Sequence, residues 1–202
     1  MEHRKEEQAA MIQRYIKVLH LLDADKSRRA IQSLVEIGEA SVEPLLSLLE
    51  DDEVATRWWA IEGLGQIKDQ RAIIPILHTL TYDDSGDVLL KALQTLIRMG
   101  EAAVGILIQV LQDDKAELRK NAIKVLAGIG GPAIPALITS LHDDKATVRT
   151  EAARCLGMMR EAMYNTAVVE ALQRVQQKER DQTVKQSLKE AIASIYLDKK
   201  LS

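Results

Sequence analysis

The sequence predicts an all-α fold, a right-handed α-solenoid of about six antiparallel helix pairs. Three observations carry this. First, an aspartate pair recurs at Asp51-Asp52, Asp83-Asp84, Asp113-Asp114 and Asp143-Asp144, in steps of 32, 30 and 30 residues (51 to 83, 83 to 113, 113 to 143). A fixed period of this size marks a chain built from stacked copies of one helical unit. Second, each pair is followed by an alanine in register, at Ala60, Ala92, Ala122 and Ala152. A leucine stands four residues on, at Leu64, Leu96, Leu126 and Leu156, and Ile67, Met99, Ile129 and Met159 follow three further along. Spacings of three and four put these side chains on one helix face. Third, each pair is preceded by a shorter apolar segment with a proline at the same place, Pro44, Pro75 or Pro135, and with Gly105 in the remaining copy.

Taken in order, the elements follow from these signals. A helix is predicted from about Lys5 to Leu22, followed by one carrying Ala30, Leu34 and Ile37. The segments "VEPLLSLLE", "IIPILHTLT", "AVGILIQVLQ" and "AIPALITSLH" are each the first helix of a pair. Proline costs little only in a first turn, so each starts just before its proline. The Asp pairs are expected as N-caps of the second helices, where a carboxylate meets free N–H groups. Gly38, Gly100 and Gly130 are expected to end helices in the left-handed region. A last pair is predicted from a helix over about 162–176 and one carrying Val184, Lys185, Leu188 and Ile195. No linker interrupts the pattern, so residues 1–202 are read as a single domain, with repeats over about 5–38, 39–68, 70–100, 101–130, 131–160 and 162–198.

Composition narrows the function. With 27 Lys and Arg against 30 Asp and Glu, the net charge is −3. That argues against nucleic acid or a membrane surface as the general partner, since both call for a basic excess. The single cysteine, Cys155, excludes an intrachain disulfide and suits a reducing, cytoplasmic location. No apolar run reaches membrane-spanning length.

The pattern P-x-L-x-x-x-L-x-D-D followed by V-R-x-x-A-x-x-x-L-G, nearly complete in "IPALITSLHDDKATVRTEAARCLG", resembles the HEAT-like repeats of phycobilisome lyases and many bacterial and archaeal proteins. The resemblance covers almost the whole chain and implies an armadillo/HEAT-type superhelix. It also implies that the proline-bearing helices are convex and the V-R helices line a concave face.

Candidate chemistry is sparse. Arg57, Arg119 and Arg149 share one register and are expected to bridge to turn aspartates of their own or a neighbouring repeat. The aspartate pairs stand about one repeat apart, too far for one metal to gather six oxygens, so no metal is expected. The four histidines are isolated. The His-Glu pairs that mark deoxyhypusine hydroxylases, which share HEAT-like repeats, are missing from the sequence. Cys155 is expected as an inert buried thiol. No nucleophile, base and orienting group can be placed together, so no reaction and no cofactor are assigned.

The anomaly is "TRWWAIEGL". Trp58 and Trp59 stand where other copies carry Leu90 and Lys91, Lys120 and Asn121, or Thr150 and Glu151. At least one tryptophan is therefore expected on the open concave face; the alternative is a local packing variation. The expected binding face holds Arg28, Arg29, Trp58, Trp59, Glu62, Leu90, Lys91, Lys120, Lys124 and Arg154, with Asn121 and Glu151 among its neighbours. Trp and Arg are the types that dominate binding hot spots. The expected function is a non-enzymatic scaffold, a monomer or weak dimer, binding a protein or peptide with an acidic segment. The alternative implied by the resemblance is a lyase-like or chaperone-like subunit acting on a tetrapyrrole-bearing protein.

Overall fold

The computed structural model describes residues 2–21 and 23–201; Leu22, the predicted end of the first helix, lies outside the described residues. Among the described residues, twelve α-helices form six consecutive pairs: α1 Glu2–Leu19 and α2 Ala24–Ile37, α3 Val42–Ser47 and α4 Val54–Ile67, α5 Ile73–Tyr82 and α6 Gly86–Met99, α7 Glu101–Val110 and α8 Ala116–Ile129, α9 Ile134–Ser140 and α10 Ala146–Met158, α11 Thr166–Lys178 and α12 Gln182–Leu201. No strand occurs among the described residues. The fold is an all-α solenoid of helix pairs.

Contacts divide the chain into two compact units, Met1–Met99 and Gly100–Ser202. In the first, α2, α4 and α6 pack in series, and α1, α3 and α5 form the layer behind them. In the second, α8, α10 and α12 pack in series, backed by α7, α9 and α11. The alanine register lies where neighbouring helices approach, and Ala60, Ala92, Ala122 and Ala152 are fully buried. So are Leu64 and Leu96 in the first unit and Leu126 and Leu156 in the second. Pro44, Pro75 and Pro135 sit in the first turns of α3, α5 and α9, where no N–H is needed.

Three details differ from expectation. The first aspartate of each pair is not an N-cap but closes an Asx turn just before the helix. The carboxylates of Asp51, Asp83, Asp113 and Asp143 accept from the N–H two residues on, at 2.8–2.9 Å. The capping positions themselves are held by Glu53, Lys115 and Lys145, whose side chains make no cap bond. The two-residue extension of the turn moves the carboxylate out of capping reach. Only Asp23, which accepts from the Asp25 and Lys26 amides, caps in the expected way among the aspartates preceding α2, α4, α8 and α10. Second, Gly38, Gly100 and Gly130 do have positive φ (77°, 62° and 73°), but ψ near −131° to −135° puts them beyond the left-handed helical well, where a side chain fits poorly. The left-handed position falls instead on Lys68, at φ 59° and ψ 30°. Third, α11 begins at Thr166, later than predicted, because the Asn165 side chain caps it through the Ala167 N–H at 3.1 Å.

The arginine register clips each turn to its neighbour. Arg57 Nη1 donates to the carbonyls of Asp51 and Asp52, and Arg119 and Arg149 do the same to Asp113-Asp114 and Asp143-Asp144. The other side of each guanidinium reaches the next repeat. Arg57 finds Asp83 and Asp84 there, as expected of turn aspartates. Arg119 and Arg149 find Glu151 and Glu179 there, so their ion-pair partner is a glutamate, while the turn aspartates of their own repeats are met through the carbonyls.

The Arg149–Glu179 pair makes stability pH-dependent. Glu179 accepts from Arg149 Nε at 2.7 Å and Nη2 at 3.1 Å. The Arg149 hydrogen bonds draw its carboxyl down to about 2 from an ordinary 4.5, with the Asp181 and Arg180 amides assisting against burial. The folded value lies below the unfolded one, so this contribution is present above pH 4.5 and is lost as pH falls toward 2. Thermal melts over that window should show wild type losing more melting temperature than Glu179→Gln. Equal losses would mean that the pair adds nothing.

Helices α10 and α12 approach closely at a glycine. A Cβ on Gly157 would lie 2.7 Å from Ala191 Cα and 2.9 Å from Ala191 Cβ. Gly157→Ala should therefore cost about 1–3 kcal/mol by overpacking, despite the better helix propensity of alanine. Gly105 in α7 has nothing within 4 Å of its added Cβ. Gly105→Ala should stabilise by up to about 1 kcal/mol. Urea denaturation of both variants checks the contrast, and like signs would refute it.

Candidate functional site

Helix α4 is flanked by α2, by α3 and by α6, which explains why "TRWWAIEGLG" is apolar on nearly every side. Its consecutive tryptophans are both half-buried. Their rings meet edge to face, with centroids 4.8 Å apart and planes at 82°. From α6, Lys91 lays its Nζ over the Trp58 ring, 3.9 Å from the centroid. The same Nζ donates to the Glu62 carboxylate, one turn beyond Trp58 on α4. Glu62 also accepts from Arg98 Nη2 at 3.2 Å and from Gln66 on its own helix. Burial acts to raise the Glu62 carboxyl, yet its bonds to Lys91, Gln66 and Arg98 outweigh it and hold the group below the usual range.

This arrangement corrects the expected role of two residues. The Lys91 and Glu62 side chains are only 11% and 14% exposed. They neutralise one another and clamp α6 to α4 over an aromatic ring, so Lys91 is not a free steering charge. The register containing Trp59, Lys91, Asn121 and Glu151 was expected to be open; in the structure Asn121 and Glu151 are buried and the other two are largely covered. The reason is directional. Lys91 reaches sideways to Glu62 and Glu151 to Arg119, each on the preceding helix of its own unit. Arg29 shares the register but stays exposed, because α2 is the first helix of its row among the described residues.

The neighbouring register is open. Leu90 on α6 is 55% exposed. It shares with Trp58 a groove of about 560 Å³ between the N-terminal ends of α4 and α6. Val54 adds a third apolar group, while Asp52, Glu53 and Asp87 rim the opening. Arg28, in the Trp58 register on α2, is exposed and unpaired among the described residues, as is Arg29. The remaining expected residues belong to the second unit. Lys120 and Lys124 on α8 and Arg154 on α10 are exposed, with contacts to Glu117, Asn121 and Glu151 on their own helices. The sequence reading missed Arg98 and Gln66. Arg98 lies seven residues beyond Lys91, two turns on along one face of α6, and that spacing was the available signal.

Cys155 is buried with Sγ 3.6 Å from the Ile123 carbonyl, and burial pushes its thiol up to about 12. No group of three or more His, Cys, Asp or Glu side chains able to hold a metal occurs among the described residues. No single helix searched among them is long and apolar enough to cross a membrane.

Comparison with known proteins decides the family. The HEAT repeats family matches residues 12–97 and 104–193. The chain belongs to the HEAT repeat family. The phycocyanobilin lyase subunit beta of Pseudanabaena tenuis (strain PCC 7409) is 34% identical over 67 residues, which is 33% of this chain and 24% of that protein. The match thus spans about a quarter of the lyase subunit. Among solved structures, the complex of CpcE and CpcF of phycocyanin lyase from Nostoc sp. PCC7120 is similar at TM-score 0.46 and 18% identity, covering 91% of this chain and 98% of that one. Human deoxyhypusine hydroxylase in complex with glycerol is similar at TM-score 0.37 and 21% identity, covering 92% and 84%.

Proposed function

We propose that this HEAT-repeat chain is a non-enzymatic, cytoplasmic interaction scaffold, a monomer or weak dimer, that binds a protein or peptide on the concave face lined by α2, α4 and α6. The observation that carries the reading is the groove shared by Trp58 and Leu90. It pairs a half-buried tryptophan, preorganised by Trp59 and Lys91, with an exposed leucine. Such a rigid aromatic wall loses little entropy when an apolar anchor docks. An acidic segment of the partner would be met by Arg28 and Arg29 on α2; the groove's own rim is acidic and would not steer it. Lys120, Lys124 and Arg154 are candidates for further contacts from the second unit.

The test is affinity for a partner recovered from the native host. Trp58→Ala should weaken binding by about 2 kcal/mol or more, as hot-spot tryptophans do, and Leu90→Ala should weaken it as well. Arg28→Glu probes the flanking charge. Wild-type affinity in all three variants would end the reading.

A second reading has one observation behind it, the 34% identity over 67 residues to a phycocyanobilin lyase subunit. In that reading the chain is a lyase-like or chaperone-like subunit acting on a tetrapyrrole-bearing protein. A shift in bilin absorbance on mixing with the chain would favour it, and an unchanged spectrum would count against it.

A further inference from the structure

A second and larger cleft, of about 830 Å³, opens on the layer formed by α3 and α5, behind the helices that carry Trp58 and Leu90. Only Asp52 lines both cavities. Its floor is apolar and aromatic. Leu46 comes from α3, and Ile74, His78 and Tyr82 lie along the outer face of α5 at spacings of four. Ile74 and Tyr82 are among the exposed large hydrophobic side chains, and His78 is exposed too. The His78 and Tyr82 rings lie 5.8 Å apart at 57°, which gives a tilted aromatic wall. An exposed aliphatic and aromatic row on one face of a helix resembles a contact surface more than a solvated one.

The charge around this floor is one-sided. Five carboxylates line the cleft, Glu50, Asp51, Asp52, Asp83 and Asp84, against the single guanidinium of Arg57. That guanidinium is already committed to two carbonyls and to Asp83 and Asp84. Asp51 is engaged by His20 at 2.9 Å. Glu50 and Asp52 stay exposed and form no ion pair among the described residues, and the Asp84 side chain is 92% exposed even with its Arg57 contact. Surplus negative charge therefore stands at the mouth, directly beside an apolar and aromatic floor.

We propose that the α3–α5 cleft docks a basic segment of a partner protein, an arginine set beside a bulky aliphatic residue. The aliphatic side chain packs on Leu46 and Ile74. The arginine lies against the His78–Tyr82 wall, where a cation is favoured over an aromatic face, and offers its fork to Glu50, Asp52 and Asp84. Complementary charge chooses this occupant over an acidic segment, which the same rim would repel. The assignment is independent of the Trp58–Leu90 groove.

The full-length chain can be titrated with a capped peptide of leucine, arginine, arginine and leucine between glycines, followed by amide chemical shifts and calorimetry. The expected result is saturable binding, with shifts confined to residues 46–52 and 74–84. Glu50→Lys and Ile74→Ser, both at exposed positions, should each weaken it about tenfold, and moderate salt should weaken it further. Trp58→Ala should leave it unchanged, so failure of the concave-face reading and failure of this one are separable. The proposal is overturned by absence of saturation, by shifts centred on Trp58 and Leu90, or by equal shifts at the Asp113-Asp114 and Asp143-Asp144 turns, which would signal unspecific attraction to acidic turns. Peptide binding that Glu50→Lys and Ile74→Ser leave intact overturns it as well.

Discussion

Arg57→Ala should destabilise the chain by about 3–5 kcal/mol, the range for removing one partner of a buried charge pair. The Arg57 and Asp83 side chains are 10% and 5% exposed, and their bidentate contact runs at 2.7 and 3.0 Å. Arg57 also donates to the carbonyls of Asp51 and Asp52 at 2.8 and 3.2 Å. Truncation thus strands a covered carboxylate and takes donors from two turn carbonyls at once. The hydrogen bonds with Asp83 raise the guanidinium's pKa against the pull of burial and so favour its charged form. Replacing both partners should do less harm than replacing one. Arg57→Met combined with Asp83→Leu is expected to recover much of the loss, because no orphaned charge remains. Arg149→Ala is the milder comparison, since that arginine is more exposed, at 17%. Urea denaturation decides. A loss for Arg57→Ala below about 1 kcal/mol would show the pair to be solvated and the clip to be dispensable.

The repeat was legible because packing writes itself into spacing. Alanines and leucines three and four apart can face only one way, and all eight of those at positions 60, 64, 92, 96, 122, 126, 152 and 156 are fully buried. The prolines marked first turns for an equally local reason. What failed to show in the sequence was lateral reach. Lys91 and Glu151 look like surface residues by type, and their long side chains lie against a neighbouring helix about thirty residues away in sequence. Polarity at one position says nothing about a partner in another repeat. The Asp turns show the same limit at short range, since a shift of two residues separates an Asx turn from an N-cap and leaves the composition unchanged. Of the expected binding residues, Leu90 lies exposed beside Trp58, where neighbouring repeats bring one register together. The α3–α5 cleft went unread because its floor comes from "IIPILHTLTY", whose apolar character is fully accounted for by core packing until one sees that Ile74 and Tyr82 face outward.

Leu126→Ala tests the packing register itself and should cost about 2–5 kcal/mol. Leu126 is fully buried near the end of α8, and its carbonyl receives the Gly130 N–H that closes the helix. Around it α8 packs against α7 and α10, so the side chain is enclosed on several sides. Deleting its three outer carbons loses their transfer free energy and leaves a cavity that two flanking helices must close. Closure is hard, because the fully buried Ala122 one turn away is too small to fill the gap. The loss should therefore fall in the upper half of the range. Leu126→Met, which nearly conserves volume, should cost less than about 1.5 kcal/mol. Lys124→Ala, two residues away on the exposed side, should change stability by less than about 0.5 kcal/mol. Chemical denaturation of the three variants gives the ordering. If Lys124→Ala were the costly one and Leu126→Ala the neutral one, the face assigned to the core of α8 would be wrong, and with it the register that places every other residue of the second unit.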